Sequence, residues 1–318
     1  MKLCLQGLAL IDFGIILNCV KALTHFPLIL ISLILAACVA PTPPPPTVKP
    51  AAPAAPASLD ELPILPTISP KMSALYKAGL AQGNNPRVFT KLGDCMTDNP
   101  DFLRPLAEGK TEWADYAALK AVIEQFKGVP ARSEQGWRDD SFTTTTITSA
   151  GGFNVAGPLD ATWADPKWCK SGENPLLCEY RLAKPSIAVI MFGTNDVTAT
   201  ELPDFERYLR EILDETLKRN IVPLLHTFPS RPENPEKSVK LNQIVVKVAR
   251  ELDVPLVNFQ RAIAPLPNKG VDPNNTTHLS LPAAGRSDVF SAEGLKGGAN
   301  MRNLVTLQAL DLVLKAVK

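Results

Sequence analysis

The sequence predicts an α/β fold, a parallel sheet between two layers of helices. Three observations predict it. From about Lys71 onward, short apolar or β-branched runs alternate with longer amphipathic segments, as in repeated strand–helix units. The run at residues 186–192 is apolar without a break, which suits a strand buried on both faces. Chemically capable residues follow directly on the runs, and open α/β sheets build their sites beyond the carboxyl ends of their strands.

Residues 87–92 are the first expected strand. Residues 112–126 are expected to be a helix, because Trp113, Tyr116, Ala117, Leu119, Ala121, Val122 and Phe126 recur at mixed spacings of three and four. Residues 141–149 are rich in β-branched threonine and read as a second strand, with 186–192 as the third. An amphipathic helix at 203–219 leads to a strand at 221–228. A helix at 235–252 leads to a strand at 254–259, and residues 300–317 form a final helix. Five strands of this kind suggest a flavodoxin-like three-layer α/β/α sandwich.

The composition bounds the function. The 318 residues are 45% hydrophobic and 20% charged, enough for one substantial core, and the net charge of +1 gives no footing for nucleic acid. Residues 26–37 are an apolar run ending Leu35-Ala36-Ala37-Cys38, too short for a comfortable membrane span. Small residues followed by cysteine resemble a bacterial lipobox, so residues 1–38 are expected to be a lipoprotein signal with Cys38 lipidated. An uncleaved anchor would also place the domain outside the cytoplasmic membrane. Residues 1–19 carry an extra apolar stretch with Asp12, whereas reading from Val20 gives a compact charged segment and then the apolar run. Translation is therefore expected to start at Val20. Residues 39–70 are rich in Pro, Ala and Thr, with prolines at 43–46, and are expected to form an extended tether to a domain at 71–318.

Six cysteines are present. Cys4 and Cys19 fall in the leader and Cys38 is the lipidation candidate. Cys169 and Cys178 flank a short turn-rich loop and are expected to pair in an oxidising compartment. That leaves Cys95 as either a reactive thiol or a small buried residue without reactivity.

Cys95 follows the first strand in Gly93-Asp94-Cys95, where a nearby helix N-terminus would favour thiolate. Asn195, in Gly193-Thr194-Asn195-Asp196, stands at the end of the buried run, where its amide can donate to a developing oxyanion. Gly152, with Gly151 as its alternative, follows the second expected strand and would let backbone approach a substrate. His278, one of only three histidines, precedes the final helix and is the candidate base. Asp272, in a proline-containing loop before it, is placed to reach the ring. Asp94, Asp196 and His226 are candidates to line the pocket, with a hydrogen-bonded strand end as the plainer role for His226. Metal-ligand spacing, a P-loop and a dinucleotide-binding glycine turn are all missing from the sequence, so no cofactor and no metal is implied.

Together these blocks resemble the SGNH (GDSL-type) hydrolases. The resemblance implies an ester hydrolase acting on small-molecule or glycan esters. Cys95 would be the nucleophile and His278 the base oriented by Asn275. The backbone N–H groups of Cys95 and Gly152 and the Asn195 amide would form the oxyanion hole. Further stretches, at 173–181, 191–197 and 300–304, look like an exported bacterial subgroup. Two positions depart from the family: Cys95 stands for serine and Asn275 for aspartate. Cys-His-Asn is a working constellation elsewhere, yet Asp-to-Asn in a serine hydrolase costs ~10⁴ in turnover. One reading is therefore a thiol esterase. The other is an inactive surface lipoprotein that keeps the pocket to bind a ligand, such as carbohydrate.

Overall fold

The computed structural model describes residues 58–134 and 136–317. The expected leader, Cys4, Cys19, the lipidation site Cys38 and the tether up to residue 57 lie outside the described residues.

The sheet contains four parallel strands that are neighbours in chain order: β1 (Asn85–Gly93), β2 (Pro185–Met191), β3 (Val222–His226) and β4 (Leu256–Val257). β2 and β3 are buried along their whole length, as the apolar runs at 187–191 and 222–225 require. Gly93 lies opposite Met191, Ile190 opposite Leu225, and His226 opposite Val257. This register brings the carboxyl ends of all four strands to one edge.

Two one-turn helices, α2 (Cys95–Asp98) and α5 (Asp196–Ala199), start just beyond β1 and β2. α1 (Pro70–Ala81), α3 (Lys120–Phe126) and α8 (Phe259–Ile263) all pack on the long C-terminal helix α9 (Gly298–Val317). α6 (Leu202–Lys218) packs on α7 (Pro235–Leu252), and α4 (Pro175–Ala183) joins α6 through Tyr180 Oη and Thr216 Oγ1, 2.7 Å apart. The expected helices at 203–219, 235–252 and 300–317 are thus present. The block 173–181 holds a helix the sequence reading did not assign. Asn174 caps it by accepting from Leu177 N, and Pro175 takes the first turn, where its missing N–H costs nothing.

The expected five-stranded sheet needs correcting. Residues 141–149 meet β1 through a single bridge, Gly93 to Ser149, and form no strand. Hydroxyl groups replace the backbone ladder. Ser141 Oγ accepts from Phe89 N at 2.9 Å, and Thr146 and Thr148 both donate to Lys91 O, at 2.6 and 2.7 Å. Serine and threonine side chains compete for backbone partners in this way, so a β-branched run can satisfy a strand without becoming one. Counting this segment second in sequence, the spatial order is 2-1-3-4-5, the flavodoxin-like order.

Three further boundaries move. Glu112 pairs with Val289 outside any helix, so the expected helix at 112–126 divides into a 3-10 stretch at Ala114–Leu119 and then α3. Trp113 and Tyr116 there stack edge-on against Phe290. The strand expected at 254–259 is only two residues long, because Asn258 turns out of the sheet and caps α8. The end of the expected tether lies against the domain: Ile64, Leu65 and Ile68 pack on the core, and Asn258 N donates to Ile64 O at 2.9 Å. Apolar side chains at these positions gain more by burial than an extended linker could offer.

Cys169 and Cys178 are joined by a disulfide, and Cys95 is free.

Candidate active site

The nucleophile side is built at the end of β1. Gly93 is required there, because a Cβ would sit 2.1 Å from Thr97 Oγ1 and 2.6 Å from Met191 O. Asp94 caps α2 by accepting from Met96 N at 3.0 Å, and Cys95 opens the helix half-buried. Cys95 Sγ donates to Thr277 O at 3.2 Å. Burial, with the Asp94 charge added, pushes the Cys95 thiol up to about 11. The expected bias toward thiolate is therefore absent. α2 has only one turn, and the aspartate at its cap offsets what its N-terminus offers.

The base side is a hairpin of β5 (Val271–Asp272) and β6 (Asn275–Leu279). His278 is half-buried, and its Nδ1 lies 2.9 Å from Thr277 Oγ1. Thr277 Oγ1 donates in turn to Asn275 Oδ1 at 2.7 Å, and Asn275 Oδ1 also accepts from Thr277 N. Asn275 is therefore linked to the imidazole through a hydroxyl rather than directly. With that hydroxyl proton given to Asn275, Thr277 Oγ1 is free to accept from Nδ1–H, which leaves Nε2 as the basic nitrogen. Asp272 accepts from Asn274 N within the turn.

Behind the hairpin stands a brace that the sequence reading missed. Thr276 Oγ1 donates to Glu233 Oε1, Arg231 Nε donates to Glu233 Oε2 at 2.9 Å, and Arg231 donates to Thr194 O at 3.0 Å. The hairpin is thereby tied to the block that carries Asn195. The bonds from Arg231 and Thr276 hold the Glu233 carboxyl down to about 2.

On the oxyanion side, Asn195 Nδ2 donates to Phe153 O at 2.8 Å, so the block after β2 grips the loop that carries Gly152. Gly152 is exposed, has φ +88° and has open space around its α-carbon. Gly193 adopts φ +135° against the Phe228 ring, a close approach only glycine permits.

Three expected pocket residues are corrected. Asp94, Asp196 and His226 are each fully buried and do not line an open pocket. Asp196 Oδ1 accepts from Val155 N at 3.0 Å and Thr200 Oγ1 at 2.7 Å, a latch on the Gly152 loop, and burial pushes its carboxyl up to about 6. His226 has no partner on either ring nitrogen among the described residues. Burial, with the nearby Arg302 charge, depresses it to about 3, so it stays neutral and cannot serve as a second base. Arg302 itself is buried beneath α2. It donates to Met96 O and, at 2.8 Å, to Thr97 Oγ1, and it stacks over Phe102 at 3.7 Å.

The fold therefore brings together residues 182 positions apart, Cys95 and Thr277, and seats the hairpin that carries His278 on Cys95. It also joins Asn195 to the Gly152 loop. It forms no Cys95–His278 hydrogen bond; the thiol is turned to the Thr277 carbonyl instead. Thr277 itself had a faint signal in the sequence, a hydroxyl between the two residues singled out. Arg302 lies in the 300–304 block, noted without a role.

The GDSL-like Lipase/Acylhydrolase family model matches residues 92–283. The chain belongs to this family. The match runs from the end of β1 past His278, so it contains every candidate catalytic residue. Among solved structures, a lipase/acylhydrolase from Enterococcus faecalis is similar at 15% identity over 72% of this chain and 96% of its own, with a TM-score of 0.42. An acetylxylan esterase from Geobacillus stearothermophilus is similar at 17% identity over 70% of this chain and 94% of its own, with a TM-score of 0.43. No curated protein matches the chain.

Proposed function

We propose that the protein is a thiol-dependent ester hydrolase with Cys95 as nucleophile. The observation that carries this reading is the contact between Cys95 Sγ and Thr277 O, which holds the hairpin bearing His278 against the nucleophile. At neutral pH the thiol is protonated, so His278 acts as a general base rather than as half of a standing ion pair. The S–H turns from Thr277 O to His278 Nε2, sulfur attacks the ester carbonyl, and the proton passes to the imidazole. The oxyanion is received by the Cys95 and Gly152 N–H groups and the remaining Asn195 amide proton. The C–O bond breaks, and the alcohol leaves with the proton from His278. Water then adds to the thioester with His278 again as base, releasing the acid and restoring the thiol. The substrates are carboxylic esters of small molecules or glycans. We place the domain outside the cytoplasmic membrane, anchored through a lipid on Cys38. The Leu35–Cys38 sequence and the Cys169–Cys178 bond support this.

A specific observation favours a second reading. A thiol raised to about 11 and spent on a carbonyl is a poor nucleophile, as expected of a binding protein that has lost turnover. Hydrolysis of p-nitrophenyl acetate under reducing conditions separates the two. The wild type is expected to turn over and Cys95→Ala to lose at least about 10³-fold. A silent wild type, or an active alanine variant, sinks the thiol mechanism. Turnover confined to Cys95→Ser marks a site silenced by that one replacement.

A further inference from the structure

Beside the carboxyl end of β1 lies a cleft of about 210 Å³, lined among others by Lys91, Arg104, Asn99, Thr143 and Thr145. One water needs only ~10–15 Å³ of such space, so the cleft takes a molecule rather than a trapped solvent. Its inner wall holds an unusual group. Lys91 is 6% exposed, yet its ammonium meets only Phe142 O, at 3.1 Å, and forms no ion pair among the described residues.

The buried acids that face it are committed elsewhere. Glu179 gives one oxygen to Thr90 Oγ1 and the other to Arg132 and Ile147 N. Asp140 spends one oxygen on Phe142 N and Thr143, and the other on Gly128 N. Asp98 lines the cleft, but it is exposed to solvent. A second cation, Arg104, faces the same space and donates once, to Thr143 O at 2.8 Å. Buried charges are ordinarily paired, because an unpaired one forfeits its hydration. Here two cations converge on an open cleft, and the buried one has no partner acid.

We propose that this cleft binds an oxyanion, phosphate or carboxylate, carried on a molecule about the size of a monosaccharide. The anion supplies the directly bonded counter-charge that Lys91 lacks. Arg104 completes the grip with a planar donor fork suited to either oxyanion. Asn99 and the threonines meet the hydroxylated body of the ligand. Burial, with the Arg104 charge added, holds the Lys91 amine down to about 8 against the opposing pull of Glu179, Asp140 and Asp98, and a bound anion offsets the Arg104 charge. Thr97 and Asp98, on the helix that Cys95 opens, form part of the wall. The proposal does not depend on ester chemistry at Cys95.

Isothermal titration of the full chain with inorganic phosphate, glucose 6-phosphate, glucuronate and glucose tests it. Glucose 6-phosphate or glucuronate is expected to bind better than glucose, and their ranking tells phosphate from carboxylate. Arg104→Gln, at an exposed position, is expected to keep the melting temperature and weaken binding at least about ten-fold, the effect of one charge-assisted bond. Lys91→Met is expected to abolish binding. If Lys91→Met does not fold, Arg104→Gln decides alone. Glucose binding as well as its phosphate, no binding by any anionic probe, or an affinity unchanged in Arg104→Gln overturns the proposal.

Discussion

The two sides of the site are built by opposite means. The Cys95 side rests on buried polar groups: Asp94, Asp196, His226 and Arg302 are all inaccessible, and the bonds of Asp94, Asp196 and Arg302 run to backbone or to neighbouring side chains. The base side is a two-stranded hairpin at the surface. His278 is half-buried there, Asn275 is exposed, and the brace is open to solvent at Glu233 while its Arg231 end is buried. Burial makes each bond on the first side expensive to lose. Exposure makes the bonds of Asn275 and Glu233 on the second side cheap to exchange. In the proposed mechanism the thiol changes partner from Thr277 O to His278, and the hairpin is the side that can supply that change at low cost.

The contrast can be broken first at Arg302. Arg302→Met removes two charge-assisted bonds to α2 and leaves their acceptors buried. A loss of about 3–5 kcal/mol is expected in urea denaturation, and a loss under about 1 kcal/mol would show that the buried side is not what holds the nucleophile. His226 tests the same side through pH. Its folded value of about 3 lies below the ordinary 6.5, so the unfolded chain binds the extra proton as pH falls. The stability it contributes is complete above 6.5 and fades toward 3. By about pH 5 the loss amounts to about 2 kcal/mol, which His226→Gln should not show in an acid titration of stability.

On the hairpin, Thr277→Val keeps the shape and removes the hydroxyl between His278 and Asn275. Turnover is expected to fall about ten-fold or more with stability nearly unchanged, and Thr277→Ser to restore it. Equal turnover in the valine variant would remove Thr277 from the mechanism. Glu233→Gln neutralises the solvent-facing end of the brace and leaves an amide oxygen for the buried Arg231, so only ~0.2–1 kcal/mol is expected in thermal unfolding. A larger cost would mean that the hairpin is as firmly held as the nucleophile.

Much of this architecture could be read from the chain itself. The unbroken run at 186–192 and the heptad-like faces of 203–219 and 235–252 leave little freedom, and their elements are present in the structure. Gly93-Asp94-Cys95 and Gly193–Asp196 each punctuate a buried strand, so their place at the sheet edge follows from topology. The errors share a cause. Threonine at 141–149 favours a strand by shape, but its hydroxyl can take a backbone partner without one. Asp94 and Asp196 adjoin the candidate residues in sequence and His226 ends a strand, yet the helix cap, the α5 start and the strand end all turn these side chains into the protein. The Thr277 link is local and left a faint trace in the sequence, whereas the brace joins Glu233 to Thr276 across a separation that no local pattern reports.

The hydroxyl-sealed side of β1 has a consequence for the molecule among its own copies. An outermost strand ordinarily offers a row of open N–H and C=O groups to any extended chain that drifts past, the usual start of edge-to-edge aggregation. In β1 the amide of Phe89 and the carbonyl of Lys91 are already engaged by Ser141, Thr146 and Thr148. The opposite border, β4, is two residues long. Neither border leaves a template for growth, so the sheet ends where the protein does.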